Sequence, residues 1–459
     1  MNYQAYELAH AMLSPWRTFA QGMKMHLQQP FNPFSYTPIS RSAAAAIDVF
    51  ESVTRRYGKP EWGITSTQIQ GSTVPVSIET VYSEPFCNLL HFQRLGPVAA
   101  NRKDPKVLIV APMSGHYATL LRGTVEAMLP EHDVYITDWV DAREVPLAMG
   151  SFDFEDYVDY LIDFIHFIGP QTHVLAVCQP AVPALVAAAV MADVDDPIQP
   201  MSLILMGGPI DTRRNPTAVN RLAEERPLSW FEQTVISHVP FPNPGFMRRV
   251  YPGFIQLTGF MTMNLERHTE AHVKLFENLV KGDCDSVRQH RKFYEEYLSV
   301  MDLTAEFYLQ TVKTVFQDHS LPKGTLTHRG QRVDCSKIRR TALFTIEGER
   351  DDISGLGQTE AAHDLCAAVP ADDRFHYVQE GVGHYGVFNG TRWRTEIQPR
   401  IREFIRTIEY KRRFAGSGDE TPASSSASSL GAPYRVAEPG DEPVMKWDSA
   451  DLEEKPSDT

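Results

Sequence analysis

Three residues that lie far apart in the chain, Cys178, Asp351 and His384, have the side chains needed for nucleophilic catalysis by a thiol. A free thiol has a pKa of about 8.5, so only a small fraction is thiolate at neutral pH. A neighbouring imidazole takes up the thiol proton, and a carboxylate orients that imidazole and stabilises its protonated form. The residue types therefore predict a triad with Cys178 as nucleophile, His384 as base and Asp351 as acid.

The local sequence around Cys178 predicts how its side chain is presented. An apolar stretch ends at Val177, and an alanine- and valine-rich helical pattern follows through Met191. This outline is typical of a nucleophile elbow, in which a buried strand turns sharply into a helix and lifts one side chain above the sheet. The match is incomplete, because Ala176 and Pro180 replace the glycines of G-x-S-x-G and cysteine replaces serine. A buried structural cysteine is the alternative interpretation.

The candidate acid and base each follow a predicted strand. Asp351 lies in the segment EGERDD at 347–352, and His384 lies in GVGHYG at 381–386. Asp352 is a direct alternative to Asp351, and an acid after a strand is also a common helix cap. The spacing Gly-x-x-Asp favours Asp351. Glycines around His384 indicate a loop at a cleft rather than a core histidine.

A tetrahedral intermediate on Cys178 would need backbone N–H donors for its oxyanion. The N–H of Gln179 is the first candidate, because it follows the nucleophile at the start of a helix. The second donor is predicted in the loop 112–116, where Met113 and Ser114 are equal candidates.

Alternating strand and helix patterns predict the elements that position these residues. Short apolar strands at 107–111, 134–137, 174–177 and 203–206 alternate with helices, which implies parallel βαβ units with the site at the carboxyl ends of the strands. The intervening helices are predicted over 120–129, 154–168 and 182–191. Alternation stops after Gly208, where long helical patterns follow, such as those over 270–280 and 286–316. It resumes with a strand at 342–346, a helix around 359–368, a strand at 375–378 and a final helix over about 391–413. The order nucleophile, acid, base resembles that of α/β-hydrolases, so we predict an α/β-hydrolase fold with a mostly parallel sheet and an inserted helical cap.

The predicted organisation has four parts, of which the core is built from two segments. They are an N-terminal helical segment at 1–63, a core at 64–210 and 338–413, a helical cap at 211–337 without a clear strand, and an acidic tail at 414–459. In the cap, an aromatic and methionine-rich stretch from Trp230 to Met263 is predicted to be core between cap and sheet, or else an apolar path for a greasy polymer.

Charge and composition restrict the class of protein. The net charge is −14, and from residue 416 onward ten acids face three basic residues, so this segment is predicted to be a disordered, solvated tail. Nothing is basic enough to predict nucleic-acid binding. No transmembrane run or signal peptide is recognisable, which predicts a cytoplasmic protein. Five cysteines without a C-x-x-C pair predict free thiols.

Two further motifs are weaker candidates for chemistry. His268 and His272 are one helical turn apart, but the intervening Glu270 is not where a zincin motif needs it, so no metal site is predicted. The segment GGP at 207–209 lacks the remaining residues of a phosphate-binding loop, so no nucleotide site is predicted.

Four segments together resemble the intracellular polyhydroxyalkanoate (polyhydroxybutyrate) depolymerases, over the chain from near residue 1 to about Arg413. They are VCQP at 177–180, DWVDAREVPL at 138–147, MGGPID at 206–211 and GHYG at 383–386. The resemblance implies a cysteine hydrolase of amorphous storage polyester that releases 3-hydroxybutyrate monomers and oligomers at the storage-granule surface. It implies Cys178, Asp351 and His384 as the triad, no metal or bound cofactor, and either water or coenzyme A as acyl acceptor.

Two alternatives accompany this hypothesis. The related polymer synthases also use cysteine, aspartate and histidine, but their elbow usually reads G-x-C-x-G, from which Ala176 and Pro180 depart. A non-catalytic granule-binding protein is the alternative of another class, and it predicts that Cys178→Ala changes no measurable property.

Overall fold

A nine-stranded sheet forms the centre of the molecule, which we describe from a computed structural model covering residues 3–29, 31, 35, 37–263 and 265–414. Five further strands are short and lie outside it. The strands in chain order are β1 (Ser66–Ile69), β2 (Ser72–Glu84), β3 (Cys87–Arg94), β4 (Lys106–Val110), β5 (Asp133–Trp139), β6 (Thr172–Val177), β7 (Ser202–Met206), β8 (Ser237–His238), β9 (Arg249–Tyr251), β10 (Leu303–Thr304), β11 (Thr327–His328), β12 (Gln331–Arg332), β13 (Ala342–Gly348) and β14 (Arg374–Gln379).

The strand order of the large sheet is β1-β2-β3-β5-β4-β6-β7-β13-β14. Strands β1, β2 and β3 pair antiparallel, as do β3 and β5, and every pair from β5 to β14 is parallel. From β2 onward this is the strand order of the α/β-hydrolase fold, so the predicted fold class is confirmed. All residues of β6, β7 and β13 are buried, because helices cover both faces of the central parallel strands.

Helices cover this sheet. Helices also form the chain before β1 and most of the region between β7 and β13. The α-helices are α1 (Tyr3–Leu27), α2 (Pro38–Thr54), α3 (Pro97–Ala100), α4 (Arg122–Met128), α5 (Phe154–Ile168), α6 (Ala181–Asp193), α7 (Ala218–Glu225), α8 (Leu228–Thr234), α9 (Gly253–Met263), α10 (Leu265–Lys281), α11 (Cys284–Tyr297), α12 (Ala305–Thr311), α13 (Ala362–Leu365), α14 (Gly390–Arg392) and α15 (Gln398–Phe414). Short 3-10 helices lie at Ala118–Leu121, Ala142–Glu144, Leu147–Met149, Cys335–Lys337, Ala371–Asp373 and His384–Val387, and π-helical turns lie at Val312–Gln317 and Trp393–Ile397.

Helices α5 and α6 illustrate how sequence sets burial. Helix α5 begins at the capping box of Asp153 with Asp156 and buries one apolar face. Helix α6 consists almost entirely of small apolar residues and is buried on nearly all sides. Its small side chains let it approach the sheet closely directly after Cys178, which places the start of this helix at the site.

The region from 211 to 337, between β7 and β13, is helical with small strands added. Strands β8, β9 and β10 form a three-stranded sheet, and β11 pairs with β12 as a hairpin. The expectation of no strand here was therefore wrong, because strands of two or three residues are too short to leave an alternating pattern in the sequence. The helical pattern over 286–316 is also divided by β10 into α11 and α12.

The two N-terminal helices pack against each other, and α2 also packs against α10. Thr37 caps α2 by accepting a hydrogen bond from the backbone N–H of Ser40. The Tyr3 hydroxyl, at the start of α1, donates to Asp302 over 2.7 Å. The N-terminal segment is thus fixed to the region between β7 and β13.

At the C-terminal end, the predicted helix over 391–413 is present as α14, a π-helical turn and α15, which ends at Phe414. The predicted acidic tail begins at this residue, and 415–459 lie outside the described part of the chain. None of the described helices is both long enough and apolar enough to cross a membrane.

Candidate active site

Cys178 occupies a sharp turn between β6 and α6. Its backbone φ is +68°, in the left-handed region, and its N–H donates to the carbonyl of Met206 over 2.7 Å. A non-glycine residue in this conformation costs conformational energy, which neighbouring structure must offset. The turn has the strained geometry of a nucleophile elbow, and the thiol is partly accessible, unlike the buried thiols of Cys87, Cys335 and Cys366.

A glycine outside the elbow provides the close packing that elbow glycines usually give. A Cβ atom added to Gly208 would lie 2.1 Å from the Cβ of Ala181 and 3.0 Å from the carbonyl oxygen of Cys178. The loop after β7 therefore contacts the start of α6 at a distance that only glycine permits. This contact explains how the turn tolerates Ala176 and Pro180.

The imidazole of His384 lies between the thiol and a carboxylate. His384 Nδ1 and Asp351 Oδ2 are 2.7 Å apart, and the side chain of Cys178 lies close enough to the ring to influence its pKa. Both His384 and Asp351 are buried. The fold thus brings together three side chains that are far apart in sequence.

The second carboxylate oxygen of Asp351 accepts hydrogen bonds from backbone N–H groups. Asp351 Oδ1 accepts hydrogen bonds from the N–H groups of Ile353 at 2.9 Å and Ser354 at 2.8 Å. These bonds fix the carboxylate so that Oδ2 points at the imidazole. Of the two candidate acids, Asp351 is the one within hydrogen-bond distance of His384. Asp352 is half-buried next to it in the chain.

The loop that carries Asp351 is held by a buried glutamate at the end of β13. The Glu347 carboxylate accepts backbone N–H bonds from Gly357, Thr359 and Glu360, at 2.9, 2.7 and 3.1 Å. These bonds use N–H groups at the start of the helix predicted at 359–368, and the structure has turns there before the short helix α13. Glu347 therefore positions the candidate acid indirectly.

Charges around His384 favour its protonated form. Burial by itself would lower the pKa of His384, but the carboxylate of Asp351, the thiolate form of Cys178 and hydrogen bonds to both raise this pKa well above its usual range. Burial, together with Tyr297, Cys178 and Asp352, raises the pKa of the Tyr385 phenol. A protonated imidazole beside Asp351, with a neutral phenol nearby, is therefore the favoured arrangement.

Gly207 makes room for the imidazole and carboxylate. Its φ is +56°, and an added Cβ would lie 3.3 Å from both Asp351 Oδ2 and His384 Cε1. In the sequence this glycine belonged to an incomplete phosphate-loop pattern and to the segment MGGPID, neither of which indicates a contact with the imidazole, so its contribution to the site was missed.

The predicted oxyanion donors lie in two loops at the same edge of the sheet. Gln179 follows Cys178, and Met113 and Ser114 follow β4, the strand next to β6. The backbone N–H groups of these three residues donate no hydrogen bond to any of the described residues. Their assignment as oxyanion donors remains a prediction.

Part of the chain matches a known protein family. Residues 207–409, which include the segments carrying Asp351 and His384, match the family model described as PHB de-polymerase C-terminus. This part of the chain is therefore similar to the C-terminal part of the polyhydroxybutyrate depolymerases. Together with the α/β-hydrolase fold of the sheet, the match supports ester hydrolysis. No curated protein matches the chain.

Solved structures similar to this chain include a putative lipase from Acinetobacter baumannii AYE, with 14% identity, a TM-score of 0.40, and coverage of 73% of this chain and 93% of that one. A monoacylglycerol lipase from Paleococcus ferrophilus has 12% identity, a TM-score of 0.38, and coverage of 66% and 94%. A hydrolase from Rhodococcus sp. strain RHA1, described as acting on 2-hydroxy-6-oxo-6-phenylhexa-2,4-dienoate, has 12% identity, a TM-score of 0.39, and coverage of 73% and 100%. Similarities of this size carry no functional argument.

The region between β7 and β13 covers the loop 112–116, in which the second oxyanion donor is predicted. A Cβ on Gly115, whose φ is +105°, would lie 2.4 Å from Oε1 of Gln256 on α9. The imidazole of His116 stacks on Phe260 of the same helix, with ring centroids 5.6 Å apart. Gln256 was not predicted from the sequence, because a polar residue in an apolar helix has no distinguishing motif.

Two side-chain amides at this site have polar atoms without a partner among the described residues. Both amide atoms of Gln179 are buried and unpaired, and so is Oε1 of Gln256. Leaving such atoms buried and unpaired costs free energy, and unpaired polar atoms therefore mark positions where a ligand is expected to bind.

The aromatic and methionine-rich stretch is partly buried and partly exposed. Phe231 and Phe254 are buried, whereas Phe241, Phe246 and Met247 are exposed. The side chain of Met263 lies outside the described residues. Part of the stretch is therefore core, and part is on the surface.

His268 and His272, which are one helical turn apart, lie within hydrogen-bond distance of protein groups. His268 Nδ1 lies 2.9 Å from the Tyr294 hydroxyl, and His272 Nδ1 lies 2.8 Å from the carbonyl oxygen of His268. Within the described residues, the group close enough to hold a metal ion is Glu347, Glu360 and His376. Glu347 already accepts three backbone N–H bonds there, which is a structural role.

Proposed function

We propose that this chain hydrolyses the ester bonds of amorphous poly(3-hydroxybutyrate) through a Cys178, His384, Asp351 triad, at the surface of storage granules. The observation that carries the proposal is the position of the His384 imidazole, with Nδ1 2.7 Å from Asp351 Oδ2 and the Cys178 side chain beside the ring. The match of residues 207–409 to the depolymerase family model supports the polyester as substrate.

In the first step, the thiolate of Cys178 attacks the carbonyl carbon of an ester. The negative charge on the carbonyl oxygen is met by the backbone N–H of Gln179 and by that of Met113 or Ser114. When the intermediate collapses, the carbon–oxygen bond breaks and His384 donates its proton to the leaving alkoxide. The products are a thioester on Cys178 and a polymer chain ending in a hydroxyl group.

In the second step, an acceptor attacks the thioester. His384 takes a proton from water, the hydroxide oxygen adds to the carbonyl carbon, and the carbon–sulfur bond breaks to give a free 3-hydroxyacid end. The thiol of coenzyme A is the alternative acceptor and would give an acyl-coenzyme A. Asp351 keeps the imidazole in the orientation that both steps require. No metal or bound cofactor enters this mechanism.

The decisive experiment compares wild type with Cys178→Ala on amorphous poly(3-hydroxybutyrate), with and without coenzyme A. We expect wild type to release 3-hydroxybutyrate and its oligomers, and Cys178→Ala to release none. Cys284→Ala is the matched control, because Cys284 is an exposed thiol on α11, and it should keep full activity.

Other outcomes assign other functions. Formation of acyl-coenzyme A, with no release of 3-hydroxybutyrate when coenzyme A is absent, would establish thiolysis in place of hydrolysis. Polymer formed from hydroxybutyryl-coenzyme A would identify a synthase. Equal activity of wild type and Cys178→Ala would contradict the thiol mechanism, and tight granule binding with no turnover by either would indicate a non-catalytic binding protein.

A further inference from the structure

Helix α1 presents a row of large apolar side chains to solvent. Leu8, Met12, Trp16, Phe19 and Met23 are each between 45% and 66% exposed. Their spacing of three or four residues places them on one face of the helix over about 22 Å. We call these five residues the α1 stripe. A contiguous exposed row of this kind is a mark of an interaction surface.

The same helix turns all its charged side chains away from the stripe. Glu7 pairs with Arg56 at 2.6 Å, Lys24 pairs with Asp48 on α2, and the Arg17 guanidinium donates to a backbone carbonyl of α2. None of the exposed positions of α1 is Asp, Glu, Lys or Arg. The outward face is thus free of formal charge in a protein whose net charge is −14.

The stripe continues into a shallow groove between α1 and α2. Leu13 and Ala20 of α1 and Ile47 and Phe50 of α2 line this groove beside stripe residues, and its volume is about 440 Å³. Its lining contains no charged residue. The apolar surface is therefore broader than one helix face.

The chemistry of this face restricts what it binds. Helices that lie on anionic lipid carry exposed lysine and arginine beside their apolar face, and α1 exposes neither. Helices that pair with a second copy usually flank the apolar row with charged residues that set the register, and those are also missing from the exposed positions of α1. A polyester of hydroxybutyrate has methyl, methylene and ester groups and no charge along its chain, and it matches this face.

We propose that the α1 stripe docks the protein on the uncharged surface of its insoluble polyester, an inference that rests on the proposed function. Burial of the stripe would be driven by removal of apolar area from water. The two methionines of the stripe, Met12 and Met23, adapt to an irregular surface because their side chains are flexible and polarisable.

The docked helix is joined to the cover of the site. The Tyr6 ring stacks on Phe254 of α9 with centroids 4.0 Å apart, and Asp302 accepts bonds from both the Tyr3 hydroxyl and the N–H of Gly253. Helix α9 carries Gln256 over the oxyanion loop. Docking through α1 therefore holds the polymer next to the helix that covers the site.

The test compares binding to particles with turnover of a soluble ester. Trp16→Gln/Phe19→Gln removes the two aromatic rings of the stripe, and Val194→Gln/Leu222→Gln is the matched control, since both are exposed apolar residues away from α1. Binding is measured by co-sedimentation with amorphous poly(3-hydroxybutyrate) particles in a Cys178→Ala background, which prevents digestion. Turnover of the soluble 3-hydroxybutyrate trimer is measured with Cys178 intact.

We expect Trp16→Gln/Phe19→Gln to lower the particle-binding constant at least tenfold, with kcat/KM on the trimer within twofold of wild type and the control pair unchanged. Unchanged particle binding would overturn the docking proposal. So would a wild-type dimer that becomes monomeric in the variant by sedimentation velocity, which would assign the stripe to a second copy, or stripe-dependent binding to phosphatidylglycerol vesicles. Wild type that cleaves neither trimer nor polymer would instead refute the proposed function.

Discussion

Gly208 packs against Ala181 so closely that a Cβ atom on Gly208 would lie 2.1 Å from the Cβ of Ala181. This contact joins the loop after β7 to the first turn of α6, directly behind Cys178. Because both partners are backbone or Cβ atoms, neither can move aside by rotating a side chain.

Gly208→Ala is therefore expected to displace the elbow. We expect the free energy of unfolding to fall by about 1–3 kcal/mol or more, because overpacking forces backbone shifts. Esterase activity on a soluble 3-hydroxybutyrate oligomer should fall further than stability alone explains. Chemical denaturation and steady-state kinetics measure the two effects. Gly58→Ala is the control, since no atom lies within 4 Å of its added Cβ, and a similar loss there would contradict the packing explanation.

Asp351→Asn and Asp352→Asn separate the two candidate acids. The asparagine at 351 keeps an oxygen for the N–H groups of Ile353 and Ser354 but presents an amide to His384, which disfavours the required tautomer. We expect kcat to fall on the order of 10³–10⁴-fold in Asp351→Asn and to change little in Asp352→Asn. The reverse pattern in steady-state kinetics would transfer the role to Asp352.

Gln179→Met separates a structural from a substrate-binding role for the Gln179 amide. Its two polar atoms are buried without a partner among the described residues, and such atoms cost about 1–3 kcal/mol. The variant should therefore be as stable as wild type or more stable, whereas kcat/KM on oligomeric substrate should fall about tenfold, or ~1.4 kcal/mol of transition-state stabilisation. Thermal unfolding and kinetics provide the two measurements.

Gln358→Met is the matched control for that prediction. The Gln358 side-chain N–H groups donate to the carbonyl oxygens of Arg214 and Asn215 and to Asn220 Oδ1. Losing these bonds should lower the melting temperature. A Gln179→Met variant that is destabilised as much as Gln358→Met would show that the Gln179 amide is structural.

Buried histidines should make the fold sensitive to acid. Burial lowers the pKa of His173 to about 3, while Nδ1 of its ring lies 2.7 Å from the Ser202 hydroxyl. Its folded-state pKa is below the unfolded value of 6.5, so its contribution to stability is present above pH 6.5 and is lost as pH falls toward the folded pKa. At pH 5 the loss is about 2 kcal/mol.

The comparison that measures this loss uses His173→Gln. Between pH 7.5 and pH 5, wild type should lose about 2 kcal/mol more unfolding free energy than His173→Gln, because glutamine does not titrate. Urea denaturation at several pH values gives the two slopes. Equal slopes would mean that His173 is not the group responsible.

Regular elements of the fold followed from sequence pattern. Helix α5 lies at the predicted residues, 154–168, because its apolar spacing and its Asp153 cap are both local signals. The parallel strands from β4 to β7 were predicted to within about two residues, because their apolar runs are interrupted by clear helices. Strands β8 to β12 were missed, because two or three residues carry no period.

The sequence by itself determined the candidate chemistry of this protein: a thiol at a strand-to-helix turn, an acid and a histidine after later strands, and the family motifs around them. Only the tertiary structure decided which acid contacts His384 and how Gly207 and Gly208 allow close packing at the site. It also decided that α9 places Gln256 over the loop 112–116. Those contacts join residues tens to hundreds of positions apart, and their distances depend on packing, which local sequence patterns do not encode.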